Sequence, residues 1–336
     1  MVIVGIIGAG QIGRVHIESI STKVKNARIK TVADPFMNAE TEAWIKSMGV
    51  ECVTNDYKEI IADDTIDAVL ICSSTDTHST ISLEAIAAKK HVFCEKPIDL
   101  EVSKINQVRD ALKGTGLKYQ VGFNRRFDHN FKAVKDAVEA GKIGKTEIIK
   151  ITSRDPQPPA IEYVKVSGGL FMDMTIHDFD MVRFLAGCNA EEIFVQAANV
   201  VDKAIGDAGD VDTAVITIKM GNGAIAVIDN SRRAVYGYDQ RAEVFGSNGM
   251  AATGNDAYSQ VVISNGNGVT SEKPLHFFLQ RYMNAYGSEI EAFVEAIENN
   301  SVPPVSADDG LQPVLMALAA KKSLAEGRAV KISEVV

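Results

Sequence analysis

The segment Gly8-Ala9-Gly10-Gln11-Ile12-Gly13 decides the fold of this 336-residue chain. It directly follows an apolar run, Ile3–Ile7, and it opens a stretch in which Ile12, Val15 and Ile20 recur at helical spacing. A glycine-rich turn between a buried strand and a helix brings bare backbone and free N–H groups to one point, where a pyrophosphate can bind. We therefore expect the six residues of this turn to contact a dinucleotide.

An acidic residue, Asp34, stands where the next β-rich run, Ile29–Ala33, ends. An acid about 20 residues after the glycine-rich turn can accept hydrogen bonds from the ribose hydroxyls, and its charge disfavours the 2′-phosphate of NADP. The plain alternative is a structural turn followed by a solvated aspartate. Because strand, turn, helix and acid agree, the sequence predicts an NAD site.

The rest of the first third of the chain continues the alternation of strand patterns and helix patterns. Further apolar runs with little alternation are separated by helical stretches, and they cover Ala68–Cys72, Val92–Cys94 and Tyr119–Val121. This order is typical of a doubly wound parallel sheet with helices on both faces. We expect a first domain of this kind over residues 1–122.

From about residue 122 onward, strand patterns no longer alternate with helix patterns. Strands follow one another with turn signals between them, such as Gly221-Asn222-Gly223. Helical spacing is confined to stretches near residues 130–140, 173–185, 282–299 and 308–326. Strands without crossover helices predict an antiparallel sheet. The expected fold class is therefore α/β, with a second, α+β domain over residues 123–336 that contains a large, mostly antiparallel open sheet.

Two loops place polar residues at the carboxyl ends of predicted parallel strands. One carries Ser73, Thr75 and His78, and the other carries Glu95 and Lys96. A nucleotide lies in the crevice at this edge of such a sheet, so we expect all five residues to contribute to cofactor binding. A lone lysine is usually a surface residue and a lone histidine usually caps or packs, so a catalytic role for Lys96 needs further support.

That support comes from the segment Gly168-Gly169-Leu170-Phe171-Met172-Asp173-Met174-Thr175-Ile176-His177. Asp173 and His177 are four residues apart and would share one face of a helix. A carboxylate beside an imidazole stabilises the imidazolium that forms when the ring accepts a proton, as the oxidation of an alcohol requires. The alternative is a capped helix start with a packed histidine. A metal at Asp173, His177 and Asp180 is not expected, because no further His or Cys cluster completes a zinc site and Lys96 would repel a cation.

The overall composition excludes several classes of protein. The formal net charge of −9 argues against a nucleic-acid partner. No apolar run approaches the roughly 20 residues of a membrane span. The four cysteines show no CxxC pairing, and the chain starts in a strand pattern without a secretion signal, so we expect a cytoplasmic protein.

Taken together, these motifs resemble the Gfo/Idh/MocA family of oxidoreductases over essentially the whole chain. The resemblance rests on the glycine-rich turn, Glu95-Lys96-Pro97, the segment from Val121 to Phe127, and the block from Gly168 to Asp180. Finer similarity, for example in Ser153–Pro156 and Tyr236–Arg241, is to the inositol-oxidising branch of that family. The resemblance implies a Rossmann domain and NAD-dependent oxidation of myo-inositol to 2-keto-myo-inositol (scyllo-inosose). It also implies a homo-oligomer, often a tetramer formed through the open sheet.

The resemblance also implies roles for individual residues. His177 would be the general base, Asp173 would orient it and bind a hydroxyl, and Lys96 would bind the reacting oxygen. Neighbouring hydroxyls would be read by Arg126, Asp155 and Tyr238. A polyol needs such fixed polar partners, because each buried unpaired hydroxyl costs about 1–3 kcal/mol.

Three alternatives stay open at this point. The substrate could be another inositol isomer or another sugar, since small changes in a pocket separate epimers. If Arg125, Arg126, Arg232 or Arg233 enters the pocket, an acidic or phosphorylated sugar becomes more plausible. A non-catalytic sensor of NAD or sugar is disfavoured, because Lys96, Asp173 and His177 are all intact and a sensor needs no base.

Overall fold

The computed structural model describes residues 1–336, which form two compact units. The first unit comprises residues 1–127 and 283–314, and the second comprises residues 128–282 and 315–336. This division differs from the expected one at residues 283–314, which the sequence pattern placed in the later domain. The reason is that Ile290, Phe293 and Val294, in a helix of this segment, belong to the hydrophobic core of the first unit.

The first unit is built on a parallel sheet. Its strands are β1 (Val2–Ile7), β2 (Ala27–Ala33), β3 (Cys52–Thr54), β4 (Ala68–Ile71), β5 (His91–Glu95) and β6 (Tyr119–Gly122). Its first five helices are α1 (Gln11–Thr22), α2 (Ala39–Ser47), α3 (Lys58–Ala62), α4 (Thr75–Ala87) and α5 (Val102–Leu112), and a 3₁₀ turn covers Asn124–Phe127. The strand order is β3-β2-β1-β4-β5-β6 with every pair parallel, which confirms the doubly wound sheet.

The remaining elements follow in chain order. The helices are α6 (His129–Glu139), α7 (Ile161–Val164), α8 (Leu170–Asp173), α9 (Thr175–Ala186), α10 (Lys203–Asp207), α11 (Phe278–Arg281), α12 (Met283–Glu298) and α13 (Ala307–Glu326). The strands are β7 (Thr146–Arg154), β8 (Ala190–Ala198), β9 (Thr213–Met220), β10 (Ile225–Ser231), β11 (Asp239–Gly246), β12 (Gly249–Thr253), β13 (Val262–Asn265), β14 (Gly268–Ser271) and β15 (Val330–Lys331), before a 3₁₀ turn over Ile332–Glu334.

The second unit contains a seven-stranded sheet in the order β12-β11-β7-β10-β9-β8-β15. Only β7 and β10 pair in parallel, and all other neighbours are antiparallel, so the predicted mostly antiparallel sheet is confirmed. Residues of β9 alternate between buried and solvent-facing along the strand, as expected when one face of a sheet packs on helices and the other stays open. Strands β13 and β14 form a separate hairpin.

Strand order in the first unit fixes the position of its polar loops. β1 and β4 are neighbours, although the chain reaches β4 only after β2 and β3. The crevice of a doubly wound sheet opens at the carboxyl ends of such a pair, where the strand order reverses. The loops after β1 and β4 therefore meet at this edge, and the loop after β5 lies next to them.

The helix predicted near residues 173–185 is α9, which begins at Thr175 and ends at Ala186. A separate short helix, α8, precedes it and ends at Asp173. The break lies at Met174, and α8 begins where the Leu170 N–H donates to the carboxylate of Asp210, at 3.0 and 2.9 Å from its two oxygens. A polar cap from a distant loop thus starts a separate short helix, which no local pattern reveals. None of the helices is both long enough and apolar enough to span a membrane.

Candidate functional site

The glycine-rich turn after β1 is shaped by steric limits. Gly8 has a φ of +100°, and a Cβ atom there would lie 2.6 Å from the Cys72 carbonyl oxygen. A Cβ at Gly13 would lie 2.0 Å from the carbonyl oxygen of Gly8, so the helix start packs directly on the turn. At Gly10, by contrast, a Cβ would meet no atom within 4 Å. Bare backbone therefore faces open space at the start of α1, which fits the pyrophosphate of a dinucleotide.

Asp34 lies beside this turn, as the sequence predicts. One of its carboxylate oxygens accepts the N–H of Ala9 at 2.6 Å, and the other accepts the N–H of Phe36 at 2.8 Å. These two bonds fix the carboxylate, while each oxygen retains a lone pair that a ribose hydroxyl can use. The turn and the acid together fit NAD.

The loop after β4 is held to the loop after β5 by His78. The ring of His78 is buried, with Nδ1 2.8 Å from the Pro97 carbonyl oxygen and Nε2 3.0 Å from the Ser73 carbonyl oxygen. Burial disfavours a charged ring, but the Cys94 thiol and the two carbonyl oxygens outweigh it and raise the pKa of His78 to about 9. His78 thus carries a positive charge and a proton on each nitrogen. Ser73 also bonds to Thr77 at 2.6 Å, and Thr75 is the first residue of α4.

Glu95 is the last residue of β5 and Lys96 directly follows it, but the surroundings of the two side chains differ. The Glu95 side chain is buried and lies 2.6 Å from Nε2 of His16, while its other oxygen accepts the Lys96 N–H at 3.3 Å. Lys96 is partly exposed and precedes Pro97 through a cis peptide bond. His16, on α1, was not singled out from the sequence. Its spacing from Gly13 places it on the first turns of α1, but no local signal links it to Glu95, 79 residues away.

In the second unit, Arg232 joins two of the predicted substrate-binding acids. Its guanidinium lies 3.1 Å from Oδ2 of Asp155 and 2.9 Å from Oδ2 of Asp173. The other oxygen of Asp173 accepts the hydroxyl of Tyr163 at 2.8 Å. Asp155 directly follows β7 and Arg232 directly follows β10, and these two strands pair in parallel. The sheet register therefore brings the acid and the guanidinium together.

The charges of this group follow from its contacts. Burial opposes the charge on Arg232, but Asp173 and Asp155 outweigh burial and raise its pKa above the usual range for arginine. Burial and the neighbouring carboxylate of Asp173 raise the pKa of Tyr163, so its hydroxyl stays protonated and donates. A guanidinium between two acids stabilises their ionised forms.

His177 lies in the first turn of α9, and the start of that helix is firmly held. Thr175 donates to Asn230 Oδ1 at 2.7 Å, and the amide of Asn230 donates to Asp178 at 2.9 Å. These three polar side chains are buried and join α9 to β10. The His177 N–H bonds to the Met174 carbonyl oxygen at 3.3 Å, across the break between α8 and α9. Asn230 was missed by sequence reasoning, because nothing near it in the chain marks it as polar and buried.

The two remaining predicted residues have distinct environments. Tyr238 precedes β11 and is buried in an aromatic group, with ring centroids 5.6 Å from Phe277 and 5.9 Å from Tyr282. Arg126 belongs to the first unit, where its guanidinium lies 3.1 Å from Oδ1 of Asp309. The charge of Arg126 is thus already matched by an acid.

Two clusters of acids and histidines have side-chain atoms close enough together to share a cation. One comprises Asp128, His129 and Asp256, and the other comprises His16, Glu95 and Glu289. In the first cluster, the guanidinium of Arg281 contacts both aspartates and supplies the positive charge.

Comparisons with known proteins agree with this geometry. Residues 2–123 match the model of the oxidoreductase family with an NAD-binding Rossmann fold, and residues 131–252 match the GFO/IDH/MocA C-terminal domain. Myo-inositol 2-dehydrogenase of Thermotoga maritima is 46% identical over 99% of this chain and 99% of its own length. Inositol 2-dehydrogenase of Rhizobium meliloti is 47% identical over 98% of both chains.

A solved structure is similar along the whole chain as well. Scyllo-inositol dehydrogenase from Lactobacillus casei, with bound NAD(H) and scyllo-inositol, superimposes with a TM-score of 0.91 at 31% identity, covering 99% of both chains. Family models match both parts of the chain, and the fold, the glycine-rich turn and the acid after β2 agree with them. This chain therefore belongs to the Gfo/Idh/MocA family of oxidoreductases, with an NAD-binding Rossmann fold.

Proposed function

We propose that this protein is an NAD-dependent inositol 2-dehydrogenase, which oxidises myo-inositol to 2-keto-myo-inositol (scyllo-inosose). The choice of substrate class rests mainly on the ion pairs of Arg232 with Asp155 and Asp173, which we call the Asp155–Arg232–Asp173 group. Its guanidinium is already matched by two acids, so the group disfavours a phosphorylated or acidic sugar. Its oxygens suit the neutral, neighbouring hydroxyls of a cyclic polyol. Relatives that are 46–47% identical are named for oxidation of inositol, which supports the same choice.

Each residue has its own proposed role in the chemistry. We propose that His177 takes the proton of the reacting hydroxyl and that Lys96 hydrogen-bonds to the oxygen from which the proton leaves. Bound NAD supplies the acceptor for the two electrons and the hydrogen that leave the carbon atom. The guanidinium of Arg232 favours the ionised form of Asp173, so we propose that this carboxylate accepts a substrate hydroxyl and favours the imidazolium of His177.

The remaining roles are also proposals. Asp155 accepts a second hydroxyl, and Tyr238 and Arg126 complete the set of groups that read the ring. NAD would be held by the turn from Gly8 to Gly13 and by Asp34, with Ser73, Thr75, His78, Glu95 and Lys96 around it. Asp34→Ser should relax the preference for NAD over NADP, measured as the ratio of kcat/KM for the two cofactors. An unchanged ratio would assign the discrimination to another residue.

We further propose a cytoplasmic homotetramer. All four cysteines are free thiols, and Cys72 and Cys94 are buried, as suits a reducing compartment. The open face of the large sheet exposes apolar side chains, among them Val215, Ile225 and Phe245, which favours burial against further copies of the chain. Light scattering of the purified protein tests the subunit number directly.

The test of the activity is NADH formation at 340 nm with a panel of substrates. The panel contains myo-inositol, scyllo-inositol, D-chiro-inositol, glucose, xylose and an inositol monophosphate. We expect the highest kcat/KM for myo-inositol and little activity with the phosphate ester. Preference for scyllo-inositol or a hexose would keep the proposed mechanism but assign this protein a different substrate. Preference for the phosphate ester would overturn the role assigned to the Asp155–Arg232–Asp173 group.

A further inference from the structure

A buried polar cluster adjoins the Glu95-Lys96 turn in the first unit. It consists of His16 from α1, Glu95 from β5 and Glu289 from α12, whose side-chain nitrogen and oxygen atoms lie within 4.8 Å of one another. All three residues are buried, and Glu289 has no exposed surface. Nothing in the proposed reaction uses Glu289 or His16.

The two carboxyl groups of this cluster have very different partners. Glu95 lies 2.6 Å from His16 Nε2 and accepts the Lys96 N–H at 3.3 Å. Neither carboxyl oxygen of Glu289 has a hydrogen-bond partner. A buried carboxylate without donors is strongly disfavoured, whereas a neutral carboxylic acid is tolerated. Burial, and then the charge of Glu95, raise the pKa of Glu289 well above its usual range.

Aromatic rings and a thiol lie around the cluster. His16 packs edge-on against Phe93 and Tyr286, at 5.1 and 5.7 Å between ring centroids, and its Nδ1 has no hydrogen-bond partner. Its Nε2 lies 2.6 Å from a Glu95 oxygen, so this nitrogen is placed to donate to the carboxylate. Burial, and then Glu95, raise the pKa of the neighbouring Cys72 thiol, so this group is neutral. Gln120 from β6 donates to the main-chain oxygen of Glu289 at 2.7 Å.

A shared metal ion fits this geometry less well than a proton. Two ligands of one tetrahedral ion, each about 2.1 Å from the metal, are separated by roughly 3.3 Å. The atoms of His16 and Glu95 are 2.6 Å apart, which is the length of a hydrogen bond to a charged acceptor. The contact between them is therefore a hydrogen bond.

We propose that Glu95 is a positioning residue for Lys96, held in place by its hydrogen bond with His16, while the adjacent Glu289 retains a proton throughout the neutral pH range. In this arrangement the Glu95 carboxylate holds the Lys96 main chain and joins it to α1, the helix that starts at the glycine-rich turn. Proton loss from Glu289 would place two carboxylates side by side without a cation.

The first test separates positioning of Lys96 from direct binding of the cofactor, and it rests on the proposed function. In Glu95→Gln and His16→Gln, we expect kcat with NAD and myo-inositol to fall about tenfold or more, while KM for NAD changes by less than about threefold. Near-ultraviolet circular dichroism confirms that each variant is folded. A raised KM for NAD with unchanged kcat would overturn the proposal, because Glu95 would then act on the cofactor.

The second test needs no activity and so stands if the proposed reaction fails. Thermal unfolding of the wild type, Glu289→Gln and the exposed control Glu291→Gln is measured from pH 5.5 to pH 8.5. A raised pKa in the folded state means that stability is full below the unfolded value and is lost as the pH rises. Tm of Glu289→Gln minus Tm of the wild type should therefore grow with pH, by at least about 4 °C. The control should show no such trend. A difference that stays constant or shrinks would show that Glu289 is ionised.

Discussion

The two units bury acidic side chains in different ways. In the second unit, Asp155 and Asp173 share the guanidinium of Arg232, which favours their ionised forms. In the first unit, Glu289 lies near Glu95 with no hydrogen-bond donor to its carboxyl group. The first arrangement favours negative charge that can accept hydroxyl groups. In the second arrangement, we propose that Glu289 keeps its proton.

We assign proton transfer to His177, because a carboxylate paired with a guanidinium, as in Asp173, is a weak base. We expect His177→Ala to lower kcat by about 10²- to 10⁴-fold, the usual contribution of a positioned general base. The exposed His276 of the same unit offers the control His276→Ala, which should leave kcat within twofold. Steady-state kinetics with NAD and myo-inositol measures both.

The pH dependence of kcat/KM tests the same assignment of His177 as the base. A neutral imidazole must accept the proton, so kcat/KM for oxidation should rise with pH as the imidazolium of the free enzyme is lost, and then level off. Activity that is flat from acidic to alkaline pH would contradict the assignment of His177.

Replacing Arg232 tests whether its guanidinium stabilises the acids of the second unit. Arg232→Met leaves two partly buried carboxylates without their guanidinium and should lower the free energy of unfolding by about 2–3 kcal/mol near pH 8. The loss should shrink as the pH falls and the acids become protonated. Arg233, the exposed neighbour, provides the control Arg233→Met. Urea denaturation of the three proteins is the measurement, and an equal effect of both variants would show that the pairing contributes little.

Tyr163 should contribute less to activity than His177 does. Tyr163→Phe removes the hydrogen bond to Asp173 but keeps Arg232 in place, so we expect kcat/KM for myo-inositol to fall between about fivefold and tenfold. Tyr258→Phe, at an exposed tyrosine of the same unit, is the matched control. If KM and kcat are both unchanged in Tyr163→Phe, Asp173 does not need the second donor.

His78 offers a third arrangement, a buried cation held by carbonyl oxygens. Because its folded pKa is raised to about 9 from 6.5, its stabilising effect is complete below pH 6.5 and is lost as the pH rises through about 9. The Tm advantage of the wild type over His78→Gln should therefore narrow by a few degrees between pH 7 and pH 10. His129→Gln, at an exposed histidine, should show a constant difference. A constant gap for His78→Gln would mean that the ring is neutral.

How much of this could be predicted from the sequence depends on how local each feature is. The glycine-rich turn, Asp34 and the strand rhythm are short-range patterns, and the structure confirms the fold that they predict. The short helix α8 escaped prediction because Asp210, which accepts the N–H of its first residue, is 40 residues from Leu170 in the chain.

The charge arrangements needed the structure for the same reason. Arg232 lies 77 residues from Asp155 and 59 from Asp173, and only the register of β7 with β10 brings the first pair together. The sequence marked the arginine pair as important but could not show which acids neutralise it. Glu289 gave no signal at all, because a glutamate on an amphipathic helix is usually solvated.

The most direct test of the central claim uses myo-inositol that carries deuterium on carbon 2. The protein is incubated with this substrate and NAD, and the reduced cofactor and the product are examined by mass spectrometry. Oxidation at that carbon predicts one deuterium in NADH and an unlabelled 2-keto-myo-inositol. Unlabelled NADH with deuterium kept in the product would place the oxidation at another carbon, and no NADH at all would contradict the proposed function.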